Sequence, residues 1–481
     1  MNGPLSWLII VPLLGAAAAL AAGPFARVVG VAFATFTLGL AAFAWRAWGG
    51  PSAGFAFEER VAWLQGLGLE YHVGADGLGL ALVLLTAALT LVALIGSWQE
   101  IRHRVPEFVA VILFLEGALI GVFTSLDLIL FFLCWEAVLI PMFVLISVWG
   151  GAERGKAAMK FVLFTMGGSA FLLVGILVLA AAHVRQFGSL TFAYEALRGV
   201  TLSPQTQLWV CAGFLVAFLV KLPAFPVHTW LPDAHTEAPT AGSVLLAGVL
   251  LKMGGYGILR FCLPMFPDAV SLLRPWMVGL GLIGILYGAL IVLVQDDLKR
   301  LVAYSSVSHM GYVLVGAFSG MAAGVTGAAF QMINHGITTG GLFLAVGMLY
   351  ERTHTRRLAD LGGLALLMPR YAWGLLVLSL SSLGLPGTGG FVGEFLVLVG
   401  AFQYRPVAGG LAALGVVLAA AYLLSMYRRA MHGPAGPAAV HVSDVTPREA
   451  CLLLSLGAVI LWIGIQPMPI LRLAGSIAGV R

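Results

Sequence analysis

Apolar runs of about 20 residues, each long enough to cross a ~30 Å hydrocarbon core as a helix, recur along the whole of this 481-residue chain. Fourteen are counted, at roughly 5–22, 28–48, 78–98, 107–124, 126–148, 157–182, 208–227, 241–262, 275–294, 301–319, 326–350, 371–402, 409–430 and 448–468. Breakers separate them: Gly49-Gly50-Pro51, Gly150-Gly151, Pro204, Pro264 with Pro267, and Gly433-Pro434. Only 10% of residues are charged and 60% are hydrophobic, where soluble domains carry about 25% charge. That is too little charge to coat a surface in water. The longest polar stretches, 49–77 and 183–207, are too short to bury a core. The expected fold is an all-α polytopic membrane protein of about fourteen transmembrane helices, a single transmembrane domain over 1–481.

The first run starts at Leu5 with no basic segment before it and no A-x-A-like cleavage site after it. It is read as a retained helix, not a signal peptide, and no mitochondrial transit peptide is recognised. Fifteen of the 26 Lys and Arg lie in connections that follow odd-numbered spans; nine lie on the other side, both ends included, and Lys221 and Lys252 lie inside spans. The positive-inside rule then puts both termini on the non-cytoplasmic side. The net charge of +5 is accounted for by these loops rather than by nucleic acid. Cys134, Cys211, Cys262 and Cys451 are scattered in or beside apolar runs without a C-x-x-C. They read as small core residues, which argues against an iron–sulfur or haem-thiolate site in this chain.

Two spans look broken. Span 7 runs into Lys221-Leu-Pro-Ala-Phe-Pro226, followed by Pro232 and Pro239, and span 12 contains Gly384-Leu-Pro-Gly-Thr-Gly-Gly390. Proline removes a backbone donor and blocks the helical ladder. Such breaks persist in a membrane only where protein or a wet cavity satisfies the freed groups. Spans 7 and 12 are five helices apart, so they cross in opposite directions. Interrupted helices at matching places in two halves of opposite topology mark an inverted repeat. The expected organisation is spans 1–3 in 1–106, a first five-helix repeat of spans 4–8 in 107–262, a second of spans 9–13 in 275–430, and the last span with the C-terminus in 448–481.

Ionisable side chains at span centres are rare, and each costs at least ~2.5 kcal/mol on the insertion scale. Here Glu116 lies in span 4, Glu136 in span 5, Lys221 in span 7, Lys252 in span 8, His309 in span 10, His335 in span 11 and Glu394 in span 12. Pro141 follows Glu136 closely enough to break span 5 as well. One competing reading is a passive scaffold, in which these groups are ion pairs that hold helices together. Scaffolding does not need acid, base and imidazole spread through a whole bundle, whereas a proton path does. Two unit charges ~7 Å apart at an effective dielectric of ~20 interact by ~2.4 kcal/mol, enough to move a proton equilibrium more than tenfold. Another rival, a stand-alone solute carrier, lacks a substrate-pocket signature. Gly150-Gly-Ala-Glu-Arg-Gly-Lys156 imitates a phosphate-binding loop, but Ala157 stands where Ser or Thr must ligate magnesium. The glycines from Gly387 to Gly393 miss the G-x-G-x-x-G spacing at Val392. The Gly117–Gly121 spacing reads as close helix packing.

The segment Lys221-Leu-Pro-Ala-Phe-Pro-Val-His228-Thr-Trp-Leu-Pro-Asp233-Ala-His235-Thr-Glu237-Ala-Pro-Thr240 resembles the signature of the proton-conducting antiporter-like subunits. That family occurs in respiratory complex I, in membrane-bound hydrogenases and in multisubunit sodium/proton antiporters. Glu136 after Phe-Phe-Leu-Cys-Trp, Lys252 before Met-Gly-Gly-Tyr-Gly, Ser305-Ser-Val-Ser-His309-Met-Gly and Asn334-His335-Gly are similar to its other motifs. The resemblance covers spans 2–14. Glu394 within Gly-Phe-Val-Gly-Glu-Phe, and Tyr350-Glu-Arg-Thr-His-Thr-Arg356, look like the M-type branch; the L and N types usually carry lysine in span 12. The chain stops about a dozen residues after span 14, without the long lateral helix of the L type.

The resemblance implies a proton-translocating subunit of a bacterial NADH–quinone oxidoreductase, a translocase seated in the inner membrane beside L- and N-type subunits and lipid. Flavin, iron–sulfur clusters and quinone are then expected in partner subunits, with no cofactor, metal or redox centre in this chain. Glu136 and Lys221 would form the input pair, Lys252, His309 and His335 the relay, and Glu394 the output group. His228 would tune the coupling and Glu116 would be secondary. The alternative from the same superfamily is a subunit of a sodium/proton antiporter or of an ion-translocating hydrogenase.

Overall fold

The computed structural model describes residues 3–50, 54–439 and 442–475; Pro51 of the first expected break and residues 476–481 of the C-terminal segment lie outside them. Helix occupies each of the fourteen apolar runs. Among the described residues, twelve helices are long and apolar enough to cross a membrane. Spans 7 and 12 are interrupted. Short polar side chains set many of the starts. Asp127 accepts from the N–H groups of Ile129 and Leu130 at 2.9 and 3.0 Å, Asp297 accepts from Arg300 at 3.0 Å, and Thr446 with Glu449 forms a capping box. Each cap satisfies donors that a helix start leaves free. Span 6, Arg154–Phe187, and span 9, Pro267–Leu293, outrun their apolar cores; span 9 carries Pro275 inside it.

The helices are arranged against their hydropathy. Spans 8 (Thr240–Met265), 10 (Leu298–Phe318) and 11 (Ala322–Thr353) are the least apolar of the twelve and the most buried. Spans 2, 6, 13 and 14 are more apolar and mostly face outward. Lipid demands an apolar exterior, while helices inside the bundle keep polar groups by pairing them. Cys211 and Cys262 are buried and Cys134 partly so, but Cys451 is exposed. It is not a core residue; on an outward face of span 14 a small apolar thiol suits hydrocarbon equally well. Gly117 packs against Leu13 and Ile9 of span 1, the close approach that its spacing suggests.

Span 7 is Pro204–Lys221, then a non-helical turn, then Trp230–Glu237. The indole of Trp230 donates to the carbonyl of Val220 at 3.0 Å, so one group freed by the break finds a partner. Span 12 is Pro369–Ser382 and Gly389–Tyr404, with left-handed Gly384 and Gly387 between them, a conformation that favours glycine. Span 5 also breaks, at Val138 between Leu128–Ala137 and Leu139–Trp149. The ring of Pro141 would collide there with the carbonyl of Ala137. Span 8 contains two π-helical turns, Leu246–Leu250 and Ile258–Cys262, on either side of Lys252.

The polar stretch after span 2 is not simply a connection. It forms an antiparallel hairpin of β1 (Ala56–Leu64) and β2 (Leu69–Ala75). Glu59 ties it to span 1 by accepting from Ser6 N and Oγ at 3.0 and 2.8 Å. Leu126 N donates to the His72 carbonyl at 2.8 Å, and Leu128 N to the Phe192 carbonyl at 2.9 Å. The stretches 49–77 and 183–207 therefore meet over the start of span 5.

Candidate functional site

Lys221 ends the first half of span 7, buried at 1% exposure. Its ammonium lies 5.4 Å from the ring centre of Trp135 and 5.3 Å from that of Phe161. Desolvated cation–π contacts of this kind contribute about 2 kcal/mol. Trp135 is fixed by its own hydrogen bond to Ser169 Oγ at 3.0 Å. Glu136, at the kink of span 5, is the acidic group that acts on Lys221 through space. The two make no direct contact: Lys221 Nζ and Glu136 Oε1 are each buried without a protein hydrogen-bond partner. Buried polar atoms of this kind are normally satisfied by water. The expected input pair is therefore coupled electrostatically, with aromatic faces holding the cation.

Lys252, fully buried on span 8, donates to the carbonyl of Ala247 in the preceding π-turn. A π-turn frees backbone groups from the regular ladder, and the lysine head takes one of them. Lys252 Nζ also lies 2.7 Å from His335 Nδ1 on span 11. The His335 and His309 rings stand 5.7 Å apart between centroids at 62°. His309 Nδ1 lies 2.9 Å from Glu394 Oε1, a salt bridge when His309 is protonated and a hydrogen bond otherwise. Gln331 Nε2 donates to the same oxygen at 3.1 Å. His309 Nε2 meets Ser382 Oγ at 3.1 Å and Tyr422 OH at 3.4 Å. Spans 8, 11, 10 and 12 thus contribute, in that order, to one buried row: Lys252, His335, His309, Glu394. Its 2.7 and 2.9 Å contacts are at proton-transfer distance, and one water suffices for the step between the imidazoles.

Two expected residues stand apart from this row. Glu116 is fully buried in span 4, and neither carboxyl oxygen has a protein partner. His228 lies in the break of span 7, packed by Phe225, Tyr287 and Tyr304 at 5.9, 5.3 and 6.4 Å. The charge acting on it is that of Lys160, which pairs with Asp233 at 2.6 Å.

The structure also adds residues. His235, fully buried, stacks on Phe343 at 4.2 Å and 10°, and both its ring nitrogens lack a protein partner. The charges that act on it are those of Lys299 and Lys252. Lys299 is itself buried and donates to the Ala238 carbonyl at 2.8 Å. His235 stood in the recognised motif without a role, and Lys299 was counted as a loop charge. Trp135 and Phe161 carried no signal beyond that of apolar core residues. Among the described residues, no group of three or more His, Cys, Asp or Glu could hold a metal ion.

Residues 125–419 match the family model described as NADH:quinone oxidoreductase/Mrp antiporter, TM. The chain is 42% identical to "NADH-quinone oxidoreductase subunit M" of Pseudomonas aeruginosa, over 99% of this chain and 97% of that one. Its fold is similar to a chain of the respiratory complex I from Thermus thermophilus with bound NADH, with a TM-score of 0.91 and 32% identity, covering 99% of both chains. It is also similar, in fold alone, to a chain of the Mrp complex from Dietzia sp., with a TM-score of 0.85 and 24% identity, covering 98% of this chain and 51% of that one. A bundle with a buried Lys–His–His–Glu row and broken spans 7 and 12, matched over its whole length by such relatives, belongs to the NADH:quinone oxidoreductase/Mrp antiporter transmembrane family, among the proton-translocating M-type subunits.

Proposed function

We propose that this chain moves protons across the bacterial inner membrane through its own buried residues, driven by electron transfer elsewhere in an NADH–quinone oxidoreductase. The reading is carried by the row Lys252–His335–His309–Glu394, in which proton donors and acceptors alternate in the centre of the bundle. Glu136 and Lys221 form the input pair. Their through-space coupling lets a change of charge at one shift the proton affinity of the other. His235 and Lys299 lead towards Lys252 from the side with more loop charge, and Glu394 is the last site before release. His228 tunes the turn of span 7, and Glu116 is secondary.

Spans 4–8 and 9–13 act as two inverted repeats, each with one broken helix. L- and N-type subunits flank the chain, and flavin, iron–sulfur clusters and quinone reside in partner subunits, leaving this chain without a redox centre. Both termini face the non-cytoplasmic side. The second reading, a subunit of a sodium/proton antiporter, is favoured by the family description, which names both assemblies. Purification in mild detergent separates the two: co-migration with flavin and iron–sulfur subunits supports the first, and co-migration with membrane subunits alone supports the second. The relay is tested with Lys252→Met in the intact assembly. Wild-type proton uptake by vesicles carrying that variant would overturn it.

A further inference from the structure

A groove of about 710 Å³ runs between the first half of span 12 and span 14, on the outward surface and away from the proton row. Gly457 leaves room in its floor, where an added Cβ would meet only Val377 at 3.5 Å, while Leu453 packs over Gly374, and the groove extends along span 14 from Ala450 to Leu461. At 1.5 Å per residue that length is about 16 Å, half of a ~30 Å hydrocarbon core. Arg370 lines the end at the membrane surface. Its side chain is exposed and makes no ion pair with another described residue. The neighbouring carboxylate, Asp444, is taken up by three backbone N–H groups, those of Arg370, Tyr371 and Val445, at 3.0, 3.1 and 2.7 Å. Trp373, 69% exposed, lies one turn below Arg370, at the level where interfacial tryptophans sit.

We propose that this groove is a binding site for an anionic phospholipid, with its phosphate on Arg370 and an acyl chain between spans 12 and 14. The length decides the class of occupant. A transmembrane helix from another protein would continue through both leaflets, whereas this groove ends after one. The unpaired guanidinium at its mouth supplies the charge that an anionic headgroup needs, on the face with most of the loop arginines and lysines. The site does not depend on the proton relay.

The test uses the purified assembly that contains this chain, stripped of lipid and titrated with dioleoyl phosphatidylglycerol or dioleoyl phosphatidylcholine, with bound lipid counted by native mass spectrometry. The wild type should hold one phosphatidylglycerol more tightly than any phosphatidylcholine. Arg370→Glu, an exposed change that leaves folding alone, should weaken that molecule's binding about tenfold or more, and Arg370→Lys should retain it. Gly457→Leu, which fills the groove, should abolish it while partner subunits stay bound. Equal retention of both lipids, or wild-type affinity in Arg370→Glu, overturns the proposal. So does a Gly457→Leu variant that sheds a protein subunit with its lipid count unchanged, because the groove would then seat a helix.

Discussion

His309 on span 10 and Glu394 on span 12, 85 positions apart in the chain, meet at 2.9 Å with only 3% of either side chain exposed. Neither would be stable alone at that depth. A carboxylate in hydrocarbon needs a donor, and Glu394 has two on one oxygen, His309 and Gln331. The pair therefore holds spans 10 and 12 together, and under the proposed function it also passes protons; substitutions that keep shape while changing charge separate the two.

Glu394→Gln keeps the acceptor oxygen for His309 and Gln331 but cannot take up a proton. The assembly is expected to form normally, and proton uptake by inverted vesicles to fall about a hundredfold, the scale of a lost acid–base group. Glu394→Asp should keep part of the activity. Wild-type uptake in the Gln variant would remove Glu394 from the path.

Lys252→Met fills the same space without a charge. It leaves the Ala247 carbonyl and His335 Nδ1 without their partner, at a cost of about 1–3 kcal/mol for each buried group left unpaired. Both thermal stability and uptake should drop. Combined with His335→Gln, the loss of uptake should be far smaller than the product of the two single effects, because both residues serve one step. A multiplicative loss would show that they act separately.

For Lys221, the aromatic faces and the carboxylate make separable contributions. Trp135→Leu is expected to reduce stability by about 2–4 kcal/mol, through the lost cation–π contact, the lost hydrogen bond to Ser169 and the cavity left by a fully buried indole, while leaving the Glu136 coupling intact. Glu136→Gln should leave stability nearly unchanged and abolish coupled uptake. If both variants lose stability equally and pump normally, Glu136 is a packing residue.

His235→Phe preserves the flat stack on Phe343 and removes two ring nitrogens that have no protein partner. Stability should change by less than ~1 kcal/mol, since no hydrogen bond within the protein is lost. Proton uptake should slow severalfold if His235 passes protons between Lys299 and Lys252. Unchanged uptake would close that entry.

The apolar helices, the breaks in spans 7 and 12 and the ionisable side chains inside the spans were legible because charge inside an apolar run is rare and glycine and proline are loud. The sequential order of the row was not. It depends on which faces of spans 8, 11, 10 and 12 meet, and the Lys252–His335 and His309–Glu394 contacts join residues 83 and 85 positions apart. The π-turns around Lys252 were hidden because Leu246–Leu250 reads as ordinary helix former. Lys299 sits one residue into span 10, so a count of loop charge absorbed it. The hairpin was missed because β1 lacks clean alternation: its outer positions include Glu58, Arg60, Val61 and Trp63.

The inverted ordering of hydropathy and burial has a consequence for biogenesis. Spans 8, 10 and 11 carry the lysine and both histidines of the row and are the least apolar of the twelve membrane-length helices, so they partition into lipid least willingly at the moment of synthesis. A buried lysine adds about 2.5–3.5 kcal/mol to the insertion of a lone helix; the Ala247 carbonyl relieves part of this within span 8 itself, but His335 does so only after span 11 has been made. Spans 2 and 6, outward-facing and made earlier, are then in the bilayer before span 8 and can shelter it until its partner on span 11 arrives. In a glycosylation-mapping assay, span 8 alone should insert far less efficiently than span 3 alone, and Lys252→Leu should restore its insertion. The residues that make the protein useful would then also be the ones that make its translation the most exposed to quality control.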